Sequence, residues 1–156
     1  MDKETFTRQA MERQRTLYRI ALSYTASAAD AEDAVQEALL RAWDKRHTLR
    51  EEAYFGTWLT RILINECKAV LKRRRKMTAL PALPEIPLPP VDEASLILRE
   101  ALFSLPENLR VPLVMTAVEG YTLREAATML RLPLGTVKTR VARAKKRLEK
   151  EAKDHA

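Results

Sequence analysis

Lys138, Thr139, Arg140, Arg143, Lys145, Lys146 and Arg147 crowd into ten residues near the end of a 156-residue chain. Between them Val137, Val141, Ala144 and Leu148 recur at helical spacing, so one face can pack while the others carry charge. Lysine and arginine presented in this way pair with phosphates, and the arginine fork matches the two acceptors of a guanine edge. The chemistry is recognition of nucleic acid, not bond making. His47 and His155 have no acid or nucleophile arranged around them, no glycine-rich loop is present to cradle a phosphate, and the carboxylates fit helix caps or docking faces. Cys67 has no second cysteine and no nearby histidine, which leaves it a packing thiol rather than half of a disulfide or a metal ligand. The chain is therefore read as a non-enzyme, with no catalytic residue, metal or cofactor of its own.

A recognition helix must be held out from a compact core, and the residues before it supply the holder. Thr122-Leu123-Arg124-Glu125 fits a capping box, in which the Thr and Glu side chains close two otherwise unpaired amides at a helix start. That short helix contributes Ala126, Ala127 and Leu130, ends at Leu132-Pro133-Leu134-Gly135, and leaves Thr136 to cap the basic helix. Tyr121 to Leu148 is thus read as a helix-turn-helix whose second helix enters the major groove of DNA. Upstream, one helix runs from Ala94 to Leu105 and stops at Pro106, and another from about Glu107 to Glu119, with Pro112 in its first turns.

Composition frames these elements. Three glycines and 6% aromatic residues leave little material for strands, while the apolar content of 46% suffices for a core. Five prolines between Pro81 and Pro90 forbid a helix there and favour extended chain. The expected architecture is all-α: two small helical domains, residues 1–76 and 94–156, joined by a Pro-rich linker over 77–93. Charge divides the same way, with 16 basic and 11 acidic residues in 1–76, none and 3 in 77–93, and 12 and 7 in 94–156, for a net +7. A basic pair of domains seeks an anionic partner. No apolar run reaches the roughly 18 residues of a membrane span, and the first residues do not resemble a signal peptide, so a cytoplasmic location is expected.

In the first domain the periodicity predicts three main helices: Phe6 to Tyr24, Ala34 to Trp43 and Phe55 to Val70. Ser27 or Asp30 can cap the second, and His47 to Glu52 separates it from the third. The third combines the apolar stripe of Phe55, Trp58 and Ile62, expected in the core, with Arg61, Asn65 and Lys68, expected to leave it, and then the block Lys72-Arg73-Arg74-Arg75-Lys76. Such a mixture of aromatic surfaces, polar edges and cations suits single-stranded DNA. Asp33 and Glu37, one turn apart with no histidine, fit a protein-docking face better than a metal site.

These pieces, taken in order, resemble a bacterial RNA polymerase sigma factor of the extracytoplasmic-function (ECF) group. The resemblance is carried by Asp30-Ala31-Glu32-Asp33-Ala34-Val35-Gln36-Glu37, Phe55-Gly56-Thr57-Trp58-Leu59-Thr60-Arg61-Ile62, Leu105-Pro106-Glu107-Asn108-Leu109-Arg110, Glu119-Gly120-Tyr121-Thr122 and Gly135-Thr136-Val137-Lys138-Thr139-Arg140. It implies that 1–76 is a sigma-2 domain and 94–156 a sigma-4 domain. Asp33, Gln36, Glu37, Leu40 and Arg41 would then dock on the clamp coiled coil of the polymerase β′ subunit. Leu49, Arg50, Arg61, Asn65 and Lys68 would hold the non-template strand of the −10 element, although Leu49 stands where an aromatic residue would line a pocket for an unstacked base. Thr136, Lys138, Thr139, Arg140, Arg143, Lys146 and Arg147 would read the −35 element, with the domain's outer surface on the β flap. An anti-sigma factor, often tethered at the membrane, is the implied inhibitor.

Two other readings compete. A free-standing duplex-binding regulator accounts for the second domain but leaves the first domain and the linker idle. An interaction protein that merely occupies polymerase, or another sigma's inhibitor, would not need to bind DNA to affect transcription.

Overall fold

A computed structural model describes residues 1–77 and 92–154. The Pro-rich stretch over 78–91, and His155 with it, lies outside the described residues. Those that are described form eight α-helices with no strand, so the fold is all-α. The chain divides into two compact units between residues 83 and 84.

In the first unit α1 (Lys3–Glu12), α2 (Gln14–Thr25), α3 (Ala28–Asp44) and α4 (Phe55–Met77) surround a core of Leu17, Ile20, Ala31, Ala38, Phe55, Leu59, Leu63 and Ile64. Asp2 caps α1 by accepting the Thr5 amide at 2.8 Å, and that bond, with the Thr5 hydroxyl, holds its carboxyl below the usual range. The single helix expected from Phe6 to Tyr24 is two. Arg13 interrupts it at φ −99, ψ 0, a change of one residue's torsion that leaves the apolar spacing unbroken and so escapes periodicity. Its guanidinium lies 5.3 Å from the Phe55 ring centroid. A Cβ on Gly56 would meet Arg13 Nε at 2.9 Å, so glycine lets the start of α4 approach this arginine. Of the two caps considered for α3, Ser27 is the one used, accepting the Asp30 amide at 3.3 Å.

Asp30 is engaged elsewhere. Arg74, near the end of α4, pairs with its carboxylate and donates to the Thr25 carbonyl at 2.7 Å. One member of the five-cation block is therefore turned inward, tying α4 to the α2–α3 junction.

The second unit contains α5 (Glu93–Ser104), α6 (Glu107–Leu113), α7 (Leu123–Leu130) and α8 (Leu134–Asp154). The helix expected to run to Glu119 leaves α geometry after Leu113 and continues as a π turn over Val114–Val118, closed by Glu119 N–H to the Val114 carbonyl at 3.0 Å. It begins at Glu107 with Pro112 inside it. Proline removes an interior donor and crowds the preceding turn, and the wider turn follows two residues later. Arg110 is almost wholly buried yet satisfied: it donates to the Leu105 carbonyl at 3.0 Å and lies 5.2 Å from the Phe103 ring centroid. Burial lowers its pKa, with Glu107 opposing the shift. It thereby supplies a donor at the end of α5, where helical carbonyls lose their partners.

Candidate nucleic-acid interface

The holder of the basic helix is built as its sequence suggests. Thr122 accepts the Glu125 amide at 3.0 Å and Glu125 accepts the Thr122 amide at 2.9 Å, completing the capping box. Ala126, Ala127 and Leu130 of α7 are buried, as are Val137, Val141 and Ala144 of α8, and Leu148 is half-buried. The turn differs from expectation. Helix α7 ends at Leu130 with Arg131 in the left-handed region at φ 53, ψ 47, a conformation normally left to glycine. Gly135 and Thr136 instead lie in the first turn of α8, whose first bonds run to the Pro133 carbonyl. Thr136 is therefore not the cap.

The two helices leave Lys138, Thr139, Arg143, Lys146 and Arg147 exposed and Arg140 and Thr136 half-buried. The Thr139 hydroxyl donates to its own helix, at the Gly135 carbonyl, 2.9 Å away, so towards an outside ligand it offers lone pairs. Thr136, Thr139, Arg140 and Arg143 line an open hollow of about 380 Å³ together with Asn108 and Leu109 of α6. In sequence Asn108 belongs to a family motif with no site role; tertiary packing is what brings it, on α6, beside the start of α8.

In the first unit the residues expected to face polymerase, Asp33, Gln36, Glu37, Leu40 and Arg41, are all exposed on α3. Leu40 is 64% exposed. They are not independent of α4: Arg41 Nε lies 2.6 Å from Glu66 and 3.5 Å from Glu37. That link joins α3 to the helix carrying Arg61, Asn65 and Lys68. Asn65 and Lys68 are exposed and Arg61 half-buried, with Arg61 donating to the Asn65 amide oxygen at 3.4 Å. Phe55 is fully buried, whereas Trp58 and Ile62, expected in the core, are only half-buried. Between α3 and α4 two short 3₁₀ turns, Arg46–Thr48 and Glu52–Tyr54, flank Leu49, half-buried, and Arg50, exposed. Arg46 anchors this loop by lying 3.8 Å from the Trp43 ring centroid and donating to the Trp43 carbonyl at 2.7 Å.

Residues 10–77 match the family profile described as Sigma-70 region 2, and residues 95–148 match Sigma-70, region 4. The chain belongs to the sigma-70 family. Within it, this sigma factor is 34% identical to the ECF RNA polymerase sigma factor SigM of Mycobacterium tuberculosis, over 94% of its own length and 76% of that relative. It is 30% identical to the ECF RNA polymerase sigma-E factor of Escherichia coli K12, over 95% of its own length and 86% of that relative. Its fold is similar to the sigma factor RpoE of Bartonella quintana, crystallised with the anti-sigma factor NepR, at a TM-score of 0.84 and 24% identity, covering 96% of this chain and 98% of that one. The ECF resemblance read from the motifs is thus shown by the family itself. No described helix of this sigma factor is long and apolar enough to cross a membrane. Among the described residues no three His, Cys, Asp or Glu side chains gather as a metal site would.

Proposed function

We propose that this sigma factor binds core RNA polymerase through α3 and directs it to promoters gripped at two elements, the upstream one by α8 and the downstream one by α4 and the loop before it. The observation that carries the reading is the pairing, in one chain of the sigma-70 family, of an exposed basic helix on a packed holder with an exposed docking face linked by Arg41 to a second polar helix. Asp33, Gln36, Glu37, Leu40 and Arg41 meet the β′ clamp coiled coil, and the outer surface of residues 94–156 meets the β flap. Residues 1–76 act as sigma-2, 94–156 as sigma-4, and the linker over 77–93 passes between them.

Thr136, Lys138, Thr139, Arg140, Arg143, Lys146 and Arg147 read the −35 duplex, partly through base edges and partly through its shape. Leu49, Arg50, Arg61, Asn65 and Lys68 hold the non-template strand of the −10 element. Unstacking and unpairing a base costs a few kcal/mol, which binding energy must offset because the sequence carries no nucleotide-binding loop. The chain contributes no bond-making step; phosphodiester synthesis belongs to polymerase. It acts in the cytoplasm, in a stress or envelope response, and is held inactive by an anti-sigma factor.

The test is transcription reconstituted from core polymerase, this sigma factor and promoters mapped from start sites induced on its overexpression. Initiation at those sites above core alone is expected, and none would overturn the reading. The −35 grip makes a separate prediction. Arg143→Ala in holoenzyme should weaken promoter binding by about 1–3 kcal/mol, with relaxed preference at one base pair. Lys146→Ala should weaken all sequences alike and lower the slope of log K against log salt by about 0.9. Binding isotherms at several salt concentrations measure both.

A further inference from the structure

Gly135 lies in the first turn of α8 with torsions open to any residue, and a Cβ placed on it would meet no neighbouring atom within 4 Å. Neither strain nor internal crowding calls for glycine there, and glycine is a poor helix former. What its missing side chain leaves open is the hollow of about 380 Å³ that Asn108, Arg140 and Arg143 also line. A glycine that the fold does not need lets a ligand come close to the backbone.

The walls say which ligand. Among the described residues no hydrogen bond or ion pair engages Asn108, Arg140 or Arg143, and the lining holds two arginines and no carboxylate. Arg140 follows the buried Val137 by three residues and precedes the buried Ala144 by four, which puts it at the margin of the packed face. Thr136 and Arg143, four before and three after it, share that flank, and Asn108 on α6 stands beside it. A helix about 10–12 Å across fills a major groove about 12 Å wide. Its outward face then meets base edges, and its flanks meet the two strands that border the groove. A half-buried arginine on a flank, next to an amide from a second helix, faces a backbone phosphate.

We infer that Asn108 is a further DNA-binding residue of this sigma factor, and that with Arg140 it seats one backbone phosphate of the upstream promoter duplex in the hollow beside Gly135. The amide donates a neutral hydrogen bond and the guanidinium a charged one. Two helices then hold the same strand, which fixes the register of α8 in the groove. The inference rests on the assignment of α8 to the −35 duplex.

The experiment measures binding of holoenzyme to promoter duplexes carrying one methylphosphonate, at each phosphate of the −35 element in turn. One position is expected to weaken the native protein about 10-fold. Asn108→Ala should bind unmodified DNA about 10-fold more weakly and lose little more at that position. Its slope of log K against log salt should stay native, because an amide releases no counterion, whereas Arg140→Ala should lower that slope by about 0.9. Asn108→Asp should bind more weakly than Asn108→Ala, since its carboxylate would face the phosphate. Gly135→Ala should melt no lower than the native chain yet bind more weakly, its methyl group standing in the opening. Binding of Asn108→Ala or Gly135→Ala within twofold of native overturns the inference, as does a loss in Asn108→Ala that follows one base pair instead of one phosphate. Arg143→Ala separates the two levels. If it weakens binding while Asn108→Ala does not, only the seat at Asn108 fails; if neither does, the −35 assignment fails as well.

Discussion

Leu40→Glu is expected to weaken binding to core polymerase at least 100-fold while leaving the melting temperature of the free protein unchanged. Leu40 is 64% exposed on α3, so its replacement removes little packing, and surface changes of this kind usually alter stability by less than about 0.5 kcal/mol. Asp33, Gln36 and Glu37 lie seven, four and three residues before it, on the same helical face, and they and the adjacent Arg41 are exposed. An apolar centre with a polar rim is how binding energy concentrates in an interface. A carboxylate placed at that centre must be desolvated on docking with no partner arranged for it. A 100-fold loss corresponds to about 2.7 kcal/mol, which one central residue can supply. Competition for core against a labelled native chain measures the loss, and an undiminished affinity would move the docking face away from Leu40.

The second large effect falls on folding. Phe55→Ala should destabilise the first unit by about 3–5 kcal/mol, the usual cost of removing a buried phenyl ring. The ring is fully buried, edge-on to Phe6 and in tilted contact with Trp58 at a centroid distance of 5.9 Å. Domains of this size hold only about 0.05–0.15 kcal/mol per residue in reserve, so the change consumes a large part of it. A fall of more than about 10 °C in the melting of the first unit is expected, with the unfolding of the second unvaried. Circular dichroism with a fluorescence probe in each unit would show it, and a native melting curve would remove Phe55 from the core. Loss of −10 opening in Phe55→Ala would then be secondary to folding.

The capping box at Thr122 and Glu125 and the alternation that buries Val137, Val141 and Ala144 depend on neighbours three or four residues apart, and these were legible in sequence. The break at Arg13, the π turn after Leu113 and the left-handed Arg131 were not. Each changes one or a few torsions without disturbing the order of apolar residues. Asp30, read as a candidate cap, is held by Arg74 from 44 residues away, a contact no local pattern contains. The Arg41–Glu66 pair and the nearness of Asn108 to Thr136 likewise arise from packing.

Arg131 bears on how finely the basic helix can be aimed. An arginine in left-handed torsions costs about 1–2 kcal/mol relative to its preferred ones, and the turn adopts them nevertheless. The buried contacts between α7 and α8 must therefore exceed that cost, which means the angle between the two helices is imposed by their packing and the connecting residues conform to it. Such a joint has no soft hinge. Misfit at one base pair cannot be relieved by letting α8 swing, so it must be borne as a lost contact, and stiffness of the helix pair becomes a source of discrimination between sequences.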